Sequence, residues 1–528
     1  MTNKRFIYIT MDIIIVLDFG GQYCHLIARR IRDLGTYSEI LPYDVDVEVL
    51  KAKEPKGIIL SGGPSSVYED NSPQLSQSFY DYVIKENIPV LGICYGHHLL
   101  IHQLKGKIEP YEVKEYGKTV IIITQPIGIL KGLDNTETVW MSHGDQIEEL
   151  PNGFKSLAKT ETCPIAVYGN EKMKFYGVQF HPEVAHTPKG NIILDNFIEI
   201  ANAKKEWKLE NWIEQTIEDI KEKVGQDNRV ILGLSGGVDS SVTAILIYKA
   251  IGDRLHSIFV NNGVLRKKEE NEVQETFKEK LEFKNFHYVD AEKLFLDKLE
   301  GVEDPEEKRK VIGITFIEVF EKKTVELEQS YPDIKFLAQG TIYPDRVESS
   351  ATSNSSAKIK SHHNLTLPEN MMLDVIEPLK DLYKDEVRRI GIKLGLSKEL
   401  INRHPFPGPG LAIRIIGPIT KEKLDILREA DEILIQEIKN AGIYDSLWQA
   451  FCVFLPIKTV GIMGDHRTYE NICAIRAVES TDAMTANFAK LDMDLLERIG
   501  TRIINEVNGI NRVVYDISNK PPSTIEYE

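Results

Sequence analysis

The stretch from Arg229 to Ile247 joins an apolar run of strand length, ending at Leu234, to a helical pattern that opens at Val238, through Ser235-Gly236-Gly237. A junction of this kind aims backbone N–H groups and the positive end of a helix at one point, and that point suits an anion. Two adjacent glycines let the backbone approach phosphate oxygens, while the hydroxyls of Ser235, Ser240 and Ser241 add donors. The loop holds no lysine, so the balancing cation has to come from elsewhere. Asp239, an acid inside a phosphate site, makes sense as a ligand of Mg2+. An ordinary glycine turn between a strand and a helix is the alternative.

At 528 residues the chain is too long for one core, and about two to four domains are expected. No apolar run approaches the ~20 residues of a membrane span, and Asp12 interrupts the stretch after the basic start, so neither a membrane protein nor a secreted one is expected. The expected location is cytoplasmic. Met11 directly precedes the first strand pattern, so residues 1 to 10 read as an extension or an upstream start codon. Cys24, Cys94, Cys163, Cys452 and Cys473 show no metal-binding spacing and are expected as reduced thiols. A net charge of −16 argues against nucleic acid as the main partner, since phosphate-backbone binding needs a basic face.

In the first third, apolar runs at Ile13–Leu17, Lys56–Leu60 and Ile88–Ile93 alternate with helical patterns at Gln22–Leu34 and Pro73–Lys85. The alternation predicts a parallel sheet covered by helices. The third run enters Cys94-Tyr95-Gly96 and then a helix over His97–Gln103, the pattern of a nucleophile elbow, whose helix N-terminus favours thiolate. His181, oriented by Glu183 across Pro182, is the candidate base. Leu60-Ser61-Gly62-Gly63 offers N–H groups for an oxyanion. With Met141-Ser142-His143-Gly144-Asp145, the set resembles the class I glutamine amidotransferases. The resemblance implies that Cys94 attacks the carboxamide of glutamine and that Gly62, Gly63, Ser142 and His143 line its site. His98 stands where that family has glutamine, and one imidazole cannot match both hydrogen bonds of an amide. Glutamine is therefore expected to support turnover with a raised KM.

A helical stretch at Gly190–Ala201 closes this domain near residue 203, and a helix over Asn211–Val224 leads to the glycine loop. Strands are expected at His256–Val260, Phe286–Val289 and Ile334–Ala338, with a ligand at their C-terminal ends. Asp345 and Glu348, three residues apart, can join Asp239 as metal ligands, and Lys360 offers the missing cation. Ser235 to Ser240 resembles the loop of the ATP pyrophosphatases. In this order behind an amidotransferase, the segments resemble the glutamine-hydrolysing GMP synthases from Asp12 to Glu528.

That resemblance implies three domains: 11–202 a flavodoxin-like amidotransferase, 203–403 a Rossmann-like ATP pyrophosphatase, and 404–528 a small α+β domain for dimerisation and XMP binding. It implies that Ser235, Gly236, Gly237, Val238, Asp239, Ser240 and Lys360 hold ATP with Mg2+. Arg309 is implied to contact the phosphate of XMP, with Gln449, Lys520, Ile525 and Glu526 also on XMP. A homodimer is implied. Because the activated intermediate would be open to water, a closing lid is expected, formed by residues 341–375. Val513, Val514 and Ile517 suggest an anchored final strand. Asn261 and His466 depart from the residues usual in that family, aspartate and glycine. Rival readings are another amide-forming ATP pyrophosphatase, such as an NAD synthetase, and a nucleotide-sensing scaffold without turnover.

Overall fold

The computed structural model describes residues 11–343, 345, 373–463, 466–480 and 485–528. The chain forms two compact units, residues 1–211 and 212–528.

In the first unit, continuous aliphatic runs form β1 (Ile13–Asp18), β3 (Gly57–Leu60) and β4 (Val90–Ile93), buried over nearly their whole length as central parallel strands must be. They pair in parallel with β2 (Tyr37–Pro42) and β9 (Phe175–Val178). The same sheet continues through antiparallel ladders, in the order β2-β1-β3-β4-β9-β8-β7-β5-β6, with β5 (Lys107–Ile123), β6 (Thr136–Glu149), β7 (Lys155–Lys159) and β8 (Val167–Asn170). The α/β reading holds, and the antiparallel half and β2 add to it strands that the sequence pattern does not announce. Residues 107–149 mix charged and apolar positions because one face of this long hairpin is exposed, which removes the continuous apolar signal of the central strands. The helix expected over His97–Gln103 starts earlier, at Tyr95.

In the second unit, β10 (Arg229–Gly233), β11 (Leu255–Asn261), β12 (Phe286–Asp290), β13 (Ile334–Ala338) and β14 (Asp374–Ile376) form an all-parallel sheet in the order β12-β11-β10-β13-β14. The chain reverses direction of winding between β10 and β13. A doubly wound sheet opens its crevice there, beyond the strand C-termini. The three strands expected beyond β10 are present; β14, three residues long, gives too short a pattern to read. A third sheet holds β15 (Gln449–Met463) antiparallel to β16 (His466–Glu479), with β17 (Asn487–Phe488) and β18 (Ile510–Tyr515) also on β16. Val513 and Val514 lie in β18, whereas Ile517 falls beyond it and is exposed. One apolar core runs from Ile231, Ile258 and Phe295 through Leu411 and Leu434 to Cys452, Ile475 and Ile499, tying the parallel sheet to the last sheet. No helix among the described residues is long and apolar enough to cross a membrane.

Candidate active sites

In the first unit, Cys94 caps the helix Tyr95–Gln103 at φ 52°, ψ −105°, a conformation that L residues seldom adopt and that turns the side chain out of the β4 line. Two glycines make the turn feasible. A Cβ on Gly92 would lie 2.3 Å from the Gly96 oxygen, and one on Gly96 would lie 2.4 Å from the Leu60 oxygen. The Cys94 N–H is held by the Val178 carbonyl at 2.9 Å, and Gly96 N–H by Ser61 at 3.1 Å. The strain is therefore carried by β3 and β9 on either side.

His181 arrives from the loop after β9. Its Nδ1 bonds Glu183 Oε1 at 2.7 Å, and Glu183 is almost fully buried. Burial opposes the charged imidazole, but hydrogen bonding to Cys94 and Glu183 outweighs it and raises His181 to about 10. A Cβ on Gly62 would sit 3.3 Å from His181 Cε1 and 3.6 Å from Cys94 Cβ, so Gly62 borders both side chains. The same loop is fixed by Ser61 Oγ, which accepts from Phe19 N–H at 3.0 Å and donates to the Gly62 carbonyl at 2.9 Å. Gly63 packs on Phe19. From β6, the Ser142 carbonyl lies 3.7 Å from Cys94 Sγ. His98 is buried, and its Nε2 has no hydrogen-bond partner. Burial, then the neighbouring His143, lower it to about 4, so it is neutral with one donor and one acceptor.

In the second unit, the glycine loop follows β10 at the crevice. Gly236 has φ 76°, Gly237 caps the helix Val238–Ile251, and Ser235 Oγ meets Ser240 Oγ at 3.0 Å. Ser240 and Ser241 hydroxyls close on the Gly237 carbonyl at 3.1 and 2.7 Å. Asp239, in the first turn, accepts from Lys384 Nζ at 2.5 Å through Oδ2, while its buried Oδ1 has no hydrogen-bond partner. A hard cation fits such an oxygen beside phosphate. Lys384 thus brings to the loop a charge that the loop itself lacks. Nothing in the sequence singles it out, because it lies about 145 residues away on the far side of β14. Gly340, after β13, packs on this turn; a Cβ there would be 3.2 Å from both Asp239 C and Ser240 N. Asp345 Oδ2 accepts from the Ile342 N–H at 3.1 Å. Glu348, Lys360 and most of the 341–375 stretch lie outside the described residues.

The residues assigned to XMP gather around the segment Thr524–Glu528. Gln449 Nε2 donates to Glu526 Oε1 at 2.6 Å and to the Pro405 carbonyl at 3.0 Å. Arg414, buried and missed in the sequence, holds Glu526 with two bonds of 3.0 and 2.9 Å. The Ile525 carbonyl accepts from buried Arg476 at 3.4 Å, and its side chain packs on Phe451 and Val453. Arg309 bonds the Glu528 backbone oxygen and Glu306, each at 2.5 Å, while Lys520 pairs through its backbone with Ala486. Arg414 was legible in principle, since it ends the proline-rich loop Arg403–Arg414. Asn261 donates to Tyr288 at 3.2 Å and to Asp290 Oδ1 at 3.3 Å, so an aspartate there would face another carboxylate. His466 is exposed at the start of β16.

Residues 15–201 match the class-I glutamine amidotransferase family, residues 208–307 the NAD synthase family, and residues 436–527 the GMP synthase C-terminal domain. A glutamine-hydrolysing GMP synthase of Brachyspira hyodysenteriae is 52% identical, over 98% of this chain and 99% of its own length. Glutamine-hydrolysing GMP synthases of Maridesulfovibrio salexigens and Aquifex aeolicus are each 53% identical with the same coverage. Similarity of this strength along both units, with the thiol triad and the anion loop in their respective sheets, means that the chain belongs to the family of glutamine-hydrolysing GMP synthases.

Proposed function

We propose that the two groups of residues carry the two half-reactions of GMP synthesis from XMP, ATP and glutamine, in domains bounded at 11–202, 203–403 and 404–528. Cys94 attacks the carboxamide of glutamine while His181, oriented by Glu183, holds the proton and delivers it to the departing ammonia. Gly62 and Gly63 offer N–H groups to the oxyanion, and His98 with the Ser142–His143 segment borders the amino acid. In the other half-reaction the XMP carbonyl oxygen attacks the α-phosphate of ATP, pyrophosphate leaves, and ammonia displaces AMP. Ser235, Gly236, Gly237, Val238 and Ser240 hold the outer phosphates. Arg309, Gln449, Lys520, Ile525 and Glu526 hold XMP.

Asp239, with Asp345 and Glu348, would hold Mg2+, whose charge offsets that of the phosphates; the unpartnered Oδ1 of Asp239 supports this assignment. Lys360 is proposed to stabilise the leaving pyrophosphate. A homodimer is proposed because Ile457, Val460, Ile462 and Tyr469 leave an apolar face exposed on the β15–β16 hairpin. Neither nucleic acid nor a membrane is proposed as a partner, and the proposed location is the cytoplasm.

The observation that carries the reading is the Ser-Gly-Gly anion loop at the winding reversal of an all-parallel sheet, capped by Asp239 and Lys384. Incubation with ATP, XMP and ammonium should give AMP and pyrophosphate in step with GMP. Release of ADP and phosphate instead would overturn the assignment. Deamido-NAD in place of XMP is expected to give no AMP.

A further inference from the structure

Glu115 and His143 face each other directly across β5 and β6, immediately after a register shift between Pro110 and Glu115. Such an irregularity re-aims a side chain, and here it sends Glu115 into the interior. Its Oε1 accepts the hydroxyls of Thr160 and Thr162 at 2.6 and 2.5 Å, and its Oε2 meets His143 Nε2 at 2.9 Å. The other ring nitrogen of His143, Nδ1, meets the Asp145 carbonyl oxygen at 2.9 Å. Both ring nitrogens therefore have oxygen partners, which fixes the ring on two sides. Burial opposes the charge on Glu115, yet the two threonines and His143 hold its carboxyl below the usual range. Every polar side-chain atom of the pair is thus bonded within the protein.

The contacts extend from this pair toward the thiol. The Asp145 carboxylate accepts Ser66 Oγ at 2.5 Å and Tyr68 OH at 2.7 Å, both on the loop that continues from Gly62 and Gly63. Between His143 and the cysteine stands Ser142, whose carbonyl oxygen is 3.7 Å from Cys94 Sγ. A chain of bonds thus runs from Thr160 and Thr162 through Glu115, His143 and Asp145 to the oxyanion loop, with Ser142 carried on it.

We infer that Glu115 is a positioning residue for glutamine hydrolysis: through the ring of His143 it fixes the Ser142–Asp145 segment against Cys94, and that ring serves as a post for the backbone instead of a contact to the amino acid. The inference rests on the assignment of the Cys94 site and deepens it. Cys163 Sγ also lies near this pair, the three ligand atoms falling within 4.8 Å of one another, so a bound metal ion is the competing explanation. Two features disfavour it: Glu115 already has three donors, and burial raises the Cys163 thiol to about 12.

The test uses the full chain with Glu115→Gln and the milder Thr162→Val, reading glutamine hydrolysis and ammonium-supported GMP formation side by side. In Glu115→Gln the KM for glutamine should rise roughly tenfold, with kcat within about threefold and the ammonium-supported rate within about twofold of the parent. Thr162→Val should shift KM in the same direction by roughly two- to threefold, and decides the matter if Glu115→Gln does not fold. An unchanged KM in the folded variant, a parallel fall of the ammonium-supported rate, or a stoichiometric metal ion removed by either substitution would overturn the inference. Glutamine hydrolysis that survives Cys94→Ala would instead overturn the underlying site.

Discussion

At the scale of single residues, the chemistry proposed for the first unit depends on a cysteine held in a conformation that its own backbone disfavours. Because Cys94 sits at φ 52° between the hydrogen bonds of β3 and β9, its sulfur emerges where His181 and Gly62 already stand. Cys94→Ala keeps the turn and removes only the sulfur. It should abolish glutamine-supported GMP formation, a loss of at least about a thousandfold, and spare the ammonium-supported rate; a coupled assay with each nitrogen donor checks this. The triad was readable from Cys94, His181 and Glu183 because each lies in a tight local pattern. Glu115 was not, since nothing adjacent to it in sequence signals its partner across the sheet.

Among the elements, the one to which the nucleotide chemistry is assigned is the turn between β10 and the helix Val238–Ile251. Its sequence encodes the cradle, but the wall beside it comes from the segment after β13, where Gly340 packs directly on Asp239 and Ser240. A methyl group there has backbone as its neighbour, which cannot give way by a rotamer change. Gly340→Ala should therefore raise the KM for ATP by roughly five- to fiftyfold with glutamine hydrolysis in the absence of nucleotide unchanged; steady-state kinetics with varied ATP measures it. Asp239→Asn, which keeps the shape and removes the charge, should stop GMP formation from both nitrogen donors, as read by the same coupled assay.

For the whole molecule, buried histidines contribute to the response to acid, three of them most plainly. Burial is the leading cause in each: His98, His256 and His404 are all lowered to about 4. In the unfolded chain a histidine titrates near 6.5. Between about 6.5 and about 4 the unfolded state therefore binds protons that the folded state refuses at these positions, so their contribution to stability is full above 6.5 and falls as pH drops through that window. Thermal melting should show a declining Tm over this range. His404 is the clearest contributor, since its Nδ1 accepts from the Ala450 N–H at 3.2 Å and a protonated ring would lose that bond. Assembly belongs to the same scale: a charge on the exposed apolar face, Ile462→Asp, should convert the proposed dimer to monomer, seen as a halved mass by light scattering.

The chain's own order of residues was enough to determine two α/β sheets, a thiol elbow, an anion loop and the proline-rich loop that ends at Arg414. Each of these depends on neighbours within a few positions, where periodicity, glycine and capping act directly. Only the tertiary structure decided that Lys384 supplies charge to Asp239, that Arg414 holds Glu526, that Asn261 faces Asp290, and that Glu115 lies opposite His143. These partners are from 28 to 145 residues apart, and their pairing is set by strand order and register. Local sequence carries the pattern of each element, while the register between elements comes from burying all their apolar faces at once.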